Sequence, residues 1–227
     1  MERGYILHHR PYKEAQALVN LLVDGHGRVD AVARVGSGKR SNKAIIQPFQ
    51  PLIFNLSGKN ALKNLTQVEA AAPAIPLQAE SLYSGMYLNE LLVRVLSVHH
   101  DVHTLFQIYH NTLIELARKF DQIHLRLFEH QLLQELGIMP SLMYDCTGEP
   151  LEAEIFYRFF EEEGFRPYLN TRMNNSYSGA SLMALRDDAI TEQHYKDLKY
   201  LMRQILQPLL GNKPLVSRKL FAQKFSK

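Results

Sequence analysis

The hydrophobic period of this 227-residue chain turns from strand-like to helical at Ala70-Ala71-Ala72-Pro73-Ala74-Ile75-Pro76. Ahead of that segment apolar residues recur at every second position, and behind it at every third or fourth. Alternation by two fits half-buried strands and a 3.6 period fits helices, so a β part must precede a mainly α part. Two prolines among small residues carry neither strand nor helix far, which puts the boundary there. The expected domains are therefore 1–79 and 80–227.

The first domain reads as five short strands. From Arg28 to Val35, Val29, Ala31, Ala33 and Val35 share one face while Arg28, Asp30 and Arg34 share the other, so the basic side looks outward. Tyr5 to Arg10 and Gln16 to Val23 are β-rich runs before it, and Asp24-Gly25-His26-Gly27 is a hairpin turn. Pro51 to Leu56 and Leu65 to Ala70 complete the set, with Ser57-Gly58-Lys59-Asn60 turning between them. Five short strands in some 70 residues predict a closed barrel of the OB type, and the whole chain an α+β protein.

The second domain is expected to open with three helices. The first carries a stripe of Leu82, Met86, Asn89, Leu92 and Leu96, with Glu90 and Arg94 outside. A second, from His103 to Lys119, uses Leu105, Ile108, Tyr109, Leu113 and Leu116, and a third uses Leu125, Phe128, Leu132 and Leu136 before stopping at Gly137. Together they predict a bundle. Ile155 to Phe160 and Phe165 to Leu169 predict a β-hairpin around Glu161-Glu162-Glu163-Gly164. A last helix is predicted from Thr191 to Leu210, ended by Gly211 and followed by a basic tail with Lys213, Arg218, Lys219, Lys224 and Lys227.

Charge is divided unevenly. Up to Ala79 ten basic residues face five acidic ones, a balance of +5, whereas the rest of the chain sums to −2. A polyanion would be drawn to the front. Gly36-Ser37-Gly38-Lys39-Arg40-Ser41-Asn42-Lys43 holds no apolar residue and predicts a cationic loop, although a solvated face without a partner is the alternative. It lacks the spacing of a nucleotide-binding P-loop.

Chemistry beyond charge is sparse. Cys146 stands alone, which excludes an internal disulfide and the paired thiolates of a structural zinc site. His99 and His103 would lie one helical turn apart, yet no glutamate completes a His-Glu-x-x-His pattern. Asp187-Asp188 and Glu161-Glu162-Glu163 are adjacent acids, more typical of exposed turns than of a nuclease metal site. Ser176 to Gly179 has no partner histidine that spacing nominates. No stretch reaches the roughly 18 apolar residues of a membrane span, and Met1-Glu2-Arg3-Gly4-Tyr5 lacks the apolar run of a secretion signal, so the expectation is a cytoplasmic, non-enzymatic binding protein without cofactor. An RNA-binding barrel and a metal-dependent nuclease are the competing readings.

Tyr5-Ile6-Leu7-His8-His9-Arg10-Pro11-Tyr12-Lys13-Glu14, Gly27-Arg28-Val29, Gln47-Pro48-Phe49-Gln50-Pro51-Leu52, Leu82-Tyr83-Ser84-Gly85-Met86-Tyr87-Leu88-Asn89-Glu90-Leu91-Leu92 and Gly211-Asn212-Lys213-Pro214-Leu215-Val216-Ser217-Arg218, taken in that order, resemble the RecO family of bacterial recombination mediators. The resemblance implies an OB fold, a helical second domain, binding of single- and double-stranded DNA, strand annealing, and work with RecR to load recombinase onto DNA coated by single-stranded DNA-binding protein. It also implies a nucleoid-associated protein, here expected to be a monomer when alone. Some family members hold a four-cysteine zinc site, a pattern this chain departs from. Phosphate donors are expected among Arg28, Arg34, Lys39, Arg40, Lys43, Lys59 and Lys63, and stacking aromatics among Tyr5, Tyr12, Phe49 and Phe54. By motif alignment the resemblance places the acidic, phenylalanine-ended tail of single-stranded DNA-binding protein at Arg126; Leu133, further along the same helix face, is a candidate apolar wall, and an Arg126 that merely solvates its helix is the alternative.

Overall fold

A computed structural model describes residues 1–36, 42–98, 104–168 and 172–223. Lys39, Arg40, His99 and His103 lie outside the described residues. Five strands close a barrel in the order β1-β2-β3-β5-β4: β1 (Glu2–Pro11), β2 (Gln16–Val23), β3 (Gly27–Arg34), β4 (Leu52–Ser57) and β5 (Lys63–Ala70). All pairs are antiparallel except β3 with β5, and β1 meets β4 through Glu2–Gly4 against Leu52–Phe54. Ala17, Ala31 and Ala33 sit inside among Ile6, Val19, Leu21 and Phe54, small residues offsetting large ones as a narrow barrel requires. The inward alternation expected for the third strand is borne out, since Val29, Ala31 and Ala33 are all buried.

Contacts divide the chain into two compact units, residues 1–120 with 212–227, and residues 121–211. In the first, α1 (Ala79–Val95) packs on β1 of the barrel, α2 (Leu105–Arg118) packs on α1 and meets Tyr5 of β1, and α6 (Ser217–Gln223) packs on α1. The second holds α3 (Gln122–Glu135), α4 (Gly179–Arg186), α5 (Tyr195–Leu210) and a small sheet of three strands. The expected bundle of three successive helices is therefore not formed: α1 and α2 bury apolar faces with the barrel, whereas α3 packs with α5. The predicted hairpin appears as β6 (Phe156–Phe160) and β7 (Gly164–Tyr168), extended by β8 (Tyr177–Ser178). Both α4 and α6 are additions that periodicity missed, because eight and seven residues are too few to display it.

The α1 stripe also needs correction. Met86 is exposed, and the buried face runs through Ser84, Gly85, Leu88, Asn89 and Leu92. Small and polar residues lead on this face because the barrel comes close. A side chain on Gly85 would meet Leu77 Cδ1 at 2.5 Å and the Phe49 ring at 2.8 Å. Asn89 donates from Nδ2 to the Leu7 carbonyl at 3.0 Å and accepts from the Tyr109 hydroxyl at 2.6 Å, joining β1, α1 and α2 in the dry interior. Next to it, burial pushes the Tyr5 phenol up to about 12, and its hydroxyl lies 2.6 Å from His110 Nδ1.

In the second unit Asp197 plays the connecting part. Its carboxylate accepts from Arg172, from the Ser178 amide at 3.0 Å and from Ser181 Oγ at 3.3 Å, fastening α4 and β8 to α5.

Gly85→Ala is expected to destabilise the protein by about 1–3 kcal/mol through overpacking against Phe49 and Leu77. A urea unfolding curve on the full chain measures it.

Candidate nucleic-acid interface

The outer face of β1, β2 and β3 is an open, polar surface of the barrel. Register places His8 opposite Asn20 and Asn20 opposite Asp30, while Arg10 faces Leu18 and Leu18 faces Val32. Arg34 follows Val32 by two residues and so shares that face. Two strand spacings across and one pleat repeat along put the Arg10 and Arg34 Cα atoms about 12 Å apart. A groove of about 510 Å³ runs over the face, lined by His8, Arg10, Leu18, Asn20 and Asp30, with Leu62 entering from the β4–β5 turn and Val93 from α1.

The expected phosphate donors do not act as one set. Arg28 is committed internally: Nη2 and Nε grip both Asp30 oxygens at 3.0 and 3.1 Å, and Nη1 donates to the Val93 and Leu96 carbonyls at 2.6 and 3.1 Å. Its job here is to hold the last turn of α1 against β3. Lys63 pairs with Ala31 on the inward-facing row at the barrel end and donates to the Gly58 carbonyl at 3.0 Å. Arg34, Lys43 and Lys59 are exposed, Lys59 in the turn that also supplies Leu62. Arg10 and His8 are the additions that strand-by-strand reading missed. A guess at the β1–β2 register would have found them, since hairpin pairing puts Arg10 on the same face as Arg34.

Of the four aromatics, Tyr5, Phe49 and Phe54 are core residues. Tyr12 is 48% exposed at the β1–β2 turn with the Lys13 ammonium 5.3 Å from its ring centre, which leaves it the exposed one of the four. Charge sorts by unit more sharply than by position along the chain. The barrel unit has 18 basic and 9 acidic residues, net +9, and the other unit has 8 basic and 14 acidic, net −6.

In that acidic unit, Arg126 is 7% exposed and its Nη1 lies 2.8 Å from the Glu129 carboxylate. Its Nε is buried without a hydrogen-bond partner. Leu133 is 0% exposed, so it is core and cannot form the wall of an open site. The accessible cleft on this side of α3 is a different one of about 410 Å³, lined by His130, Gln134, Met139, Leu142, Met143 and Arg186. His130 Nε2 is buried without a hydrogen-bond partner there. Among the described residues no three of His, Cys, Asp or Glu come together as a metal site, and no helix is long and apolar enough to cross a membrane. Asp187 and Glu163, set among the acids considered for a nuclease, are each ion-paired, to Arg186 and Arg166.

Comparison with known proteins agrees along almost the whole chain. Residues 1–74 match the family described as Recombination protein O N terminal, and residues 76–219 match Recombination protein O C terminal. The chain is 41% identical over 231 residues to DNA repair protein RecO of Haemophilus influenzae (strain 86-028NP), covering 98% of this chain and 96% of that one. It is 42% identical over 230 residues to DNA repair protein RecO of Actinobacillus succinogenes, covering 97% and 94%. Against DNA repair protein RecO of Coxiella burnetii (strain RSA 493 / Nine Mile phase I) it is 40% identical over 225 residues, covering 97% and 96%.

Burial holds the His130 imidazole below its ordinary value, opposed in part by Asp188. The unfolded chain, with a histidine near about 6.5, therefore takes up a proton that the folded chain refuses. Stability is full above that pH and declines as the pH falls below it. His130→Leu is expected to flatten this decline, read as the urea midpoint between pH 7.5 and pH 5.

Proposed function

The chain belongs to the recombination protein O family, and from that premise we propose that it binds DNA backbones along the β1–β3 face and anneals complementary strands. The observation that carries this is the +9 balance of the barrel unit, with Arg10 and Arg34 sharing one open face beside an exposed Tyr12. Phosphate neutralisation releases counterions and supplies affinity without regard to sequence, which suits single and double strands alike. Tyr12 adds base stacking, typically about 1–3 kcal/mol per base. No step in this reading makes or breaks a covalent bond, so the role is that of a mediator rather than an enzyme.

The same reading places the main DNA surface in residues 1–79 and a partner-binding surface within residues 80–227. RecR and the tail of single-stranded DNA-binding protein are the proposed partners, acting when recombinase is loaded onto coated DNA in the cytoplasm, at the nucleoid. An acidic tail needs a cation in a partly apolar setting, and Arg126 is the arginine whose buried Nε has bonding capacity to spare. Its ion pair with Glu129 means that a tail carboxylate must compete for the guanidinium. The Met139 and Met143 cleft beside the end of α3 replaces Leu133 as the accessible apolar surface.

If about four cations engage one strand, log affinity falls with log salt at a slope of about −3. Arg10→Gln with Arg34→Gln is expected to reduce that slope by about 1.4, measured by anisotropy of a labelled 30-nucleotide oligothymidine. An unchanged slope refutes the face. For the tail site, Arg126→Leu with Glu129→Leu removes both charges, so neither is stranded in the interior. This pair is expected to weaken binding of an acidic, phenylalanine-ended peptide several-fold and to leave bare-DNA binding intact; equal peptide affinity would refute the site.

A further inference from the structure

One face of α1 turns away from the barrel and is covered by the end of the chain. Tyr83, Tyr87, Glu90 and Arg94 follow one another at spacings of four, three and four, a single stripe on the helix. Each holds a point in residues 212–223. Arg94 Nη1 donates to the Lys213 carbonyl at 2.6 Å, and Glu90 accepts from the amides of Val216 and Ser217, both at 2.8 Å, and from Ser217 Oγ at 2.6 Å. The Arg218 guanidinium lies 5.9 Å from the centre of the Tyr87 ring, and Phe221 meets Tyr83 edge-on at 5.8 Å. The segment thus runs back along α1 as a strap, over about 16 Å for the eleven positions from Arg94 to Tyr83.

The strap's charge is one-signed. Residues 212–223 contain Lys213, Arg218 and Lys219 and no acidic residue. The carboxylate beneath them, Glu90, is turned inward and consumed by three hydrogen bonds, which hold it below its ordinary range although burial pulls the other way. Lys213 and Lys219 are exposed. The strap also starts where the groove ends: Val93 lines the groove, Arg28 in that groove holds the Val93 carbonyl, and the next residue, Arg94, holds Lys213.

We propose that the strap is a second phosphate-binding surface, on which a nucleic-acid strand lying in the β1–β3 groove continues past the end of α1. The occupant is a single-stranded DNA backbone, chosen by charge complementarity with the +9 unit and by continuity with the groove. Its roughly 16 Å of length is room for several backbone phosphates. This rests on the DNA-binding reading above, and it adds a length dependence which that reading lacks. One barrel accommodates about 4–16 nucleotides, so strands beyond that range gain contacts from the strap.

Lys213→Gln with Lys219→Gln tests it, since both side chains are exposed and the bonds that fasten the strap use main-chain atoms and other residues. With the full chain and the same 30-nucleotide oligothymidine, the double variant is expected to reduce the salt slope by about 1.4 and to weaken binding on the order of tenfold at 0.1 M salt, at an unchanged melting temperature. An unchanged slope overturns the strap. So does a variant that keeps its DNA affinity but loses binding to an acidic peptide such as oligoglutamate, because the surface would then serve a protein. The Arg10 and Arg34 variants alter the slope whether or not the strap is engaged, so failure of the groove and failure of the strap are told apart.

Discussion

The barrel unit depends on where one buried amide can be satisfied. Asn89 is buried, so its Nδ2 finds the Leu7 carbonyl on β1 and its Oδ1 the Tyr109 hydroxyl on α2. An unpaired polar group there would cost about 1–3 kcal/mol, and α1 can avoid that cost in only one rotation and one depth. Gly85 and Ser84 on the same face then let the helix come close, and Arg28 ties its far end to β3. With α1 fixed in this way, its second stripe is presented outward for the returning end of the chain.

Much of the barrel was legible in the sequence because strand alternation is a local signal. The second expected strand coincides with β2, and the outward placement of Arg28, Asp30 and Arg34 follows from counting by two. The helices were legible as helices and less so as packed objects. Met86 was placed on the buried stripe of α1 because apolar character stood in for burial, whereas the actual face uses Ser84, Gly85 and Asn89, residues whose value lies in size and hydrogen bonding. No pattern in one dimension could show that α2 stays with the barrel while α3 turns to α5.

The candidate site was read from charge, and charge identifies candidates without saying which are already engaged. Arg28 and Arg34 look alike in sequence, six residues apart on one strand face. One is spent on Asp30 and two carbonyls, and the other is open. The same limit applies to Leu133, whose helical spacing from Arg126 is right but whose side chain faces the core. Summed by packed unit rather than along the chain, the charges separate into +9 and −6, a contrast hidden in a net +3.

The chain leaves the barrel unit at Phe120 and returns to it at Asn212, so the acidic unit is an insertion in a domain that begins and ends elsewhere. A protein emerging from the ribosome amino terminus first can complete the inserted unit before its host, because the piece that covers α1 is synthesised after that unit. Until then Tyr83 and Tyr87 face solvent, and a cut or an appended tag near Gly211 would injure the front of the molecule rather than its rear.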